Sequence, residues 1–93
     1  MVTRYDLIKT PDIVGFQLVK DGLLDIEVYG HFIDEHYLLS IRTGMGFAPP
    51  FVFGIAHNPK EAERRLYERI TEWIKGHAID KVEDKTGLAA KVV

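Results

Sequence analysis

The chain has 93 residues, 46% of them hydrophobic, a net charge of −2 and no cysteine. That length and composition suit one domain with a single modest core and exclude a second independent one. Without cysteine, disulfides and thiolate metal sites are impossible, which fits a reducing compartment. Residues 1–57 carry four Lys/Arg against seven Asp/Glu, and residues 58–93 carry eight against seven. Neither half offers the basic field that nucleic acid or an anionic membrane attracts. The first six residues lack a secretory h-region, and the longest uncharged run, 44–56, is too short and too rich in Gly and Pro to span a bilayer. A soluble cytoplasmic protein with no membrane contact is expected.

Residues 3–9 read as a strand ending at the Thr10-Pro11-Asp12 turn. From Val14 to Ala56 the apolar pattern has period two, and after Asn58 it changes to 3.6, so strands precede one helix. Taking Lys20-Asp21-Gly22 as a three-residue loop, with Gly22 left-handed, sets Leu18 against Leu24, Phe16 against Ile26 and Val14 against Val28. Gln17, Val19, Leu23, Asp25, Glu27 and Tyr29 then share the opposite face. A two-residue Asp-Gly turn would set Leu18 against Asp25 and Phe16 against Glu27, and the hydrophobic pattern argues against it.

Ile33-Asp34-Glu35-His36 reads as a four-residue loop. The strand after it puts Tyr37, Leu39 and Ile41 on the core face, leaves Leu38 and Ser40 outside, and sets Arg42 across from Glu27. Residues 43–50 hold two glycines and two prolines and form a loop carrying Met45 and Phe47. Residues 51–56 are apolar on both faces, the mark of a central strand.

Asn58-Pro59-Lys60-Glu61-Ala62 announces a helix, with Asn58 as cap, Pro59 at the first position and Glu61 able to close a capping box. It should run to about Lys75 and stop at Gly76, burying Ala62, Leu66, Ile70, Trp73 and Ile74. Glu61, Arg64, Arg65, Glu68, Glu72 and Lys75 face solvent, with Glu61 and Arg65 in the favourable i, i+4 order. Residues 77–93 supply a short strand or a flexible tail. The expected fold is α+β: a single domain, with an antiparallel four- to five-stranded meander over about 1–56 and one long helix, 58–76, packed on one face.

No motif of useful specificity points to catalysis, and no cofactor or metal is expected. His31, Asp34, Glu35 and His36 could in principle hold zinc or manganese, but His31 falls on a strand face and His36 in a loop, so a solvated polar hairpin is the simpler account. Gly44-Met45-Gly46 precedes a strand rather than a helix, and no Lys-Ser/Thr follows it, unlike a phosphate loop. Ser40 and His57 could form a hydrolytic pair but lack a directing motif. His77 suits the free carbonyls at the helix end.

The segment Gly54-Ile55-Ala56-His57-Asn58-Pro59-Lys60-Glu61-Ala62 resembles the strand-to-helix junction of AP2-type and integrase amino-terminal DNA-binding domains, and that of HicB-type antitoxins. It covers nine residues. The first likeness implies sheet arginines and tryptophans that read DNA; here the sheet offers Arg42 beside Asp25 and Glu27. The second implies a protein partner and self-association.

The expected function is therefore a small non-enzymatic protein-binding module, accessory, inhibitor or antitoxin-like and of phage or bacterial type. It would bind a protein partner or a second copy through Val19, Leu23, Tyr29, Leu38, Arg42, Met45, Phe47 and Val52. The alternative is nucleic-acid binding through Lys60, Arg64, Arg65 and Arg69.

Overall fold

The computed structural model describes residues 2–44 and 49–88. Five strands follow in antiparallel succession: β1 (Tyr5–Lys9), β2 (Gly15–Lys20), β3 (Leu23–Ile33), β4 (His36–Thr43) and β5 (Phe51–Ala56). Helix α1 (Pro59–Gly76) lies across one face, and β6 (Val82–Asp84) returns to pair in parallel with β1. The sheet order is β5-β4-β3-β2-β1-β6. The α+β meander with one helix on it is as expected, with a sixth strand at its far edge.

Period-two alternation sends Leu7, Phe16, Leu18, Ile26, Val28, Leu39 and Ile41 to the helix side, where Ala62, Leu66 and Ile70 bury them. Tyr67 meets Phe16 edge to face, with ring centroids 5.6 Å apart. Trp73, Ile74, Ile79 and Leu88 extend this roof at its rim.

The first hairpin differs from expectation. Its loop is the two-residue Asp21-Gly22 turn, both residues left-handed with φ of 48° and 82°, because Lys20 pairs with Leu23. Such a turn matches the twist of the flanking strands. The conflict with the hydrophobic pattern disappears one step later, where Val19 faces Leu24 but Leu18 faces Ile26. Asp25 is the extra residue of a β-bulge, which shifts register by one and returns the apolar residues of β3 to the core. The Asp25 carbonyl accepts the Gly44 N–H at 2.8 Å. A Cβ on Gly44 would collide with the Leu24 carbonyl, so this glycine serves backbone packing. Leu23, opposite Lys20, therefore leaves the outer face and stands 76% exposed at the hairpin tip.

The register of the second hairpin is as expected, with Phe32 opposite Tyr37 and Glu27 opposite Arg42. Its loop is shorter, since Ile33 also pairs with His36 across Asp34 and Glu35, both at positive φ. β5 is an edge strand, not a central one. Its two apolar faces have different causes. Phe53, left unpaired by a second bulge between Leu39/Gly54 and Ser40/Val52, packs against the helix-side core, whereas Val52 and Ile55 are 51% and 48% exposed.

Asn58 caps α1 by accepting the Glu61 N–H at 2.8 Å. The Glu61 carboxylate reaches the His57 N–H, not the cap's own, at 3.4 Å. Arg65 does not pair with Glu61; it donates to the Ile55 carbonyl, and the i, i+4 pair on the solvent side is Arg64–Glu68 at 2.9 Å. The helix includes Gly76 and is capped by His77, whose N–H bonds the Trp73 carbonyl and whose ring stacks on the indole.

After the helix, Tyr67 donates to Asp84 at 2.6 Å, and the Thr86 hydroxyl and N–H donate to the same carboxylate at 2.6 and 2.9 Å. Burial, the hydrogen bond to Asp84 and that carboxylate's charge push the Tyr67 hydroxyl up to about 12. Burial raises Asp84, but the bonds from the Thr86 hydroxyl, Tyr67 and the Thr86 N–H outweigh it and hold the carboxyl below its ordinary 3.8. One short strand is thus present after the helix, as expected, tied down by this cluster. Residues 89–93 of the anticipated tail lie outside the described residues.

Two outcomes follow for stability. Asp84 contributes stability above its ordinary value that is lost as pH falls through the lowered one; Tyr67 contributes stability below pH 10.0 that is lost as pH rises toward about 12. Urea midpoints measured against pH should show both limbs, with the acid limb flattened by Asp84→Asn and the alkaline limb by Tyr67→Phe. Replacing Asp34-Glu35 by Asn-Gly relieves a left-handed glutamate and should raise unfolding free energy by about 0.5–1 kcal/mol in the same assay.

Candidate functional site

The face of the sheet opposite α1 carries no packed element among the described residues. Strand alternation brings Ile8, Gln17, Val19, Glu27, Tyr29, Ile33, Leu38, Ser40, Arg42, Val52 and Ile55 onto it. At its centre is a charge with almost no contact with water: Glu27 is 3% exposed although it lies on the helix-free side. Gln17 Nε2 donates to one carboxylate oxygen at 2.6 Å, while Arg42 Nε and Nη2 reach the other at 2.8 and 2.6 Å. Charge-assisted bonds of this kind are short and orient their partners.

Arg42 is consequently fixed. Its guanidinium lies 5.2 Å from the Tyr29 ring centroid, so the carboxylate holds one side of the planar cation and the aromatic face the other. Half of the Arg42 side chain still meets solvent. An arginine and a tyrosine already ordered in the free protein need lose little conformational entropy on contact, and these residue types dominate binding energy at protein interfaces. Next to them, Leu38 pairs with Ile55, and Ser40, itself buried, pairs with Val52, so the aliphatic part of the patch runs toward β5.

Of the outer-face residues anticipated from sequence, Tyr29, Leu38, Arg42 and Val52 come together, and Val19 lies on the same face nearer β1, opposite Asp6. Leu23 does not join them. Met45 and Phe47 lie outside the described residues. Ile55 and Ile33 also belong to the face, although the sequence pattern reads 51–56 as a central strand and Ile33 as part of a loop. The signal for Ile33 was there, since Asp34 tolerates positive φ and allows the shorter turn.

The histidine-carboxylate cluster disperses. His31 pairs with Leu38 on the outer face, while the His36 ring turns edge-on to His57, with centroids 5.2 Å apart. Among the described residues no three His, Asp or Glu side chains converge on a metal-sized space. Ser40 lies three pairs along the ladder from Tyr37–Ala56, roughly 10 Å, so His57, which follows Ala56, is not its base. Of the four basic helix residues, Arg64 pairs with Glu68, whereas Arg65 reaches the Ile55 carbonyl and Arg69 lies over the Phe53 ring, both beside β5.

Arg42→Leu leaves Glu27 buried with Gln17 as its one remaining side-chain partner, and should lower unfolding free energy by about 1–3 kcal/mol. Changing Gln17, Glu27 and Arg42 together to aliphatic residues should recover most of that loss, because an apolar replacement of the whole set leaves no orphaned charge. Denaturant titration of the single and triple variants checks both.

No described helix is long and apolar enough to cross a membrane. No family model, curated protein or solved structure matches the chain, so the nine-residue likeness to AP2-type, integrase and HicB-type junctions extends to no family assignment.

Proposed function

We propose that the chain is a small non-enzymatic protein-binding module, accessory, inhibitor or antitoxin-like, which self-associates or docks a partner through the helix-free face of its sheet. The observation that carries this reading is the pairing of a pre-ordered Arg42–Tyr29 unit with a half-buried Leu38 and the exposed aliphatic side chains of Val52 and Ile55, on one surface that no described element covers. Contiguous apolar surface rimmed by polar groups is what a docking site needs, and a lone monomer rarely leaves much of it bare. Among the described residues no convergent catalytic set supports an enzymatic reading. Nucleic-acid binding through Lys60, Arg64, Arg65 and Arg69 has less support, because three of these cations are engaged within the molecule.

Sedimentation equilibrium tests the reading. The protein should associate reversibly at micromolar concentrations, and Leu38→Asp, which puts a charge in the patch, should return it to monomer, with Tyr29→Ala weakening association by about tenfold. A strict monomer whose capture of cellular proteins is unchanged in both variants would contradict it.

A further inference from the structure

β5 carries a second feature, distinct from the outer face. Its outward backbone groups can be assigned from the ladder. Gly30 donates its N–H to the Val14 carbonyl, so its backbone points away from its pair Leu39. Leu39 therefore bonds across to Gly54, and the next residue, Ile55, turns its N–H and C=O to the open edge. Among the described residues no strand meets that edge. An uncharged, apolar edge strand of this kind is a template for another strand.

What lies beside the edge selects the strand. Helix α1 runs back along β5: Arg65 reaches the Ile55 carbonyl, Arg69 lies 5.8 Å from the Phe53 ring centroid one turn later, and Trp73 and Phe51 line one cleft a turn beyond. A Cβ on Gly54 would collide with the Arg65 guanidinium, so this glycine gives the arginine room to lie along the edge. The two guanidinium groups stem from positions about 6 Å apart along the helix, close to the 6.6–6.8 Å between alternate residues of a strand. On the other side of the sheet, Val52 and Ile55 present aliphatic surface. The acidic residues three or four positions from Arg65 or Arg69 on α1 are Glu61, directed at the His57 N–H, Glu68, paired with Arg64, and Glu72.

We propose that β5 is a strand-addition edge for an extended partner segment that alternates acidic and apolar residues, its acidic side chains meeting Arg65 and Arg69 and its apolar ones covering Val52 and Ile55. In the free protein Arg65 occupies the outward Ile55 carbonyl and blocks the ladder. A carboxylate is a stronger acceptor than a peptide carbonyl, so an acidic residue in the incoming segment draws the guanidinium away and frees that carbonyl for an N–H of the new strand. The inference rests on the premise that the chain binds protein and shares Val52 and Ile55 with the outer-face reading, but its backbone edge, Arg65 and Arg69 are its own.

A fluorescein-labelled synthetic peptide alternating valine and glutamate is the probe, titrated at low salt and followed by anisotropy and by amide shifts of the protein. It should bind saturably, shift the amides of residues 52–56, 65 and 69, and weaken as salt is raised. The valine-lysine counterpart, and a valine-glutamate peptide N-methylated at alternate residues, should each bind at least about tenfold more weakly, as should the original peptide with Arg65→Gln. Equal binding of the N-methylated peptide, no charge preference, shifts centred on Tyr29 and Leu38, or no binding at millimolar concentration would each overturn the proposal. Leu38→Asp monomer that still binds the peptide supports the edge site, whereas failure of the peptide beside intact self-association sinks the edge site alone.

Discussion

One helix cannot roof six strands, and the rest of the molecule follows from that mismatch. An α-helix with its side chains is about 10 Å wide, whereas six strands side by side span roughly 24 Å. Helix α1 therefore covers the middle of the sheet, where Ala62, Leu66 and Ile70 bury Phe16, Leu18, Ile26, Val28 and Leu39. The β1–β6 flank is closed by the chain that follows the helix: Ile79, Val82 and Leu88 pack in, and the Tyr67–Asp84–Thr86 bonds hold them there. The β5 flank receives no such segment among the described residues, only Arg65 and Arg69 laid along it. The reverse face receives none among the described residues.

Where the roof is missing, polar chemistry replaces it. Glu27 lies in the middle of the reverse face, and its carboxylate organises Gln17 and Arg42 into a lid over the central strands, with Tyr29 under the guanidinium. A buried ion pair of this sort adds little net stability compared with aliphatic packing, since desolvation offsets most of the Coulombic gain. Its effect is on order: it fixes an arginine and a tyrosine in defined positions on a surface that would otherwise be pleated and greasy. The functional reading depends on that ordering more than on apolar area.

Much of this architecture was legible in the residues. The switch of period after Asn58, the cap itself and the Glu27–Arg42 cross-strand pair follow from rules that act over a few neighbouring residues, and the structure contains all three. Two of the departures share one physical origin. A β-bulge inserts a residue without a compositional mark, so the hydrophobic pattern argues against the two-residue Asp21-Gly22 turn and puts Leu23 on the wrong face, whereas Asp25 absorbs the mismatch. Phe53, the second bulge, likewise made β5 look apolar on both faces and hence central. Edge position is a property of the whole sheet order and has no local signature. The three-residue β6 is too short to show any period, and its parallel pairing to β1 depends on the Asp84 cluster, which joins residues far apart in sequence.

The central claim is that β5 is an unpaired edge beside an unroofed face. Residue-resolved amide hydrogen exchange on the protein at low concentration addresses it directly. Ile55 should exchange at least about a hundredfold faster than its neighbours Gly54 and Ala56, whose N–H groups bond β4. An Ile55 amide as slow as those of Phe16 and Leu18 would mean that the edge is already covered, and would contradict the account.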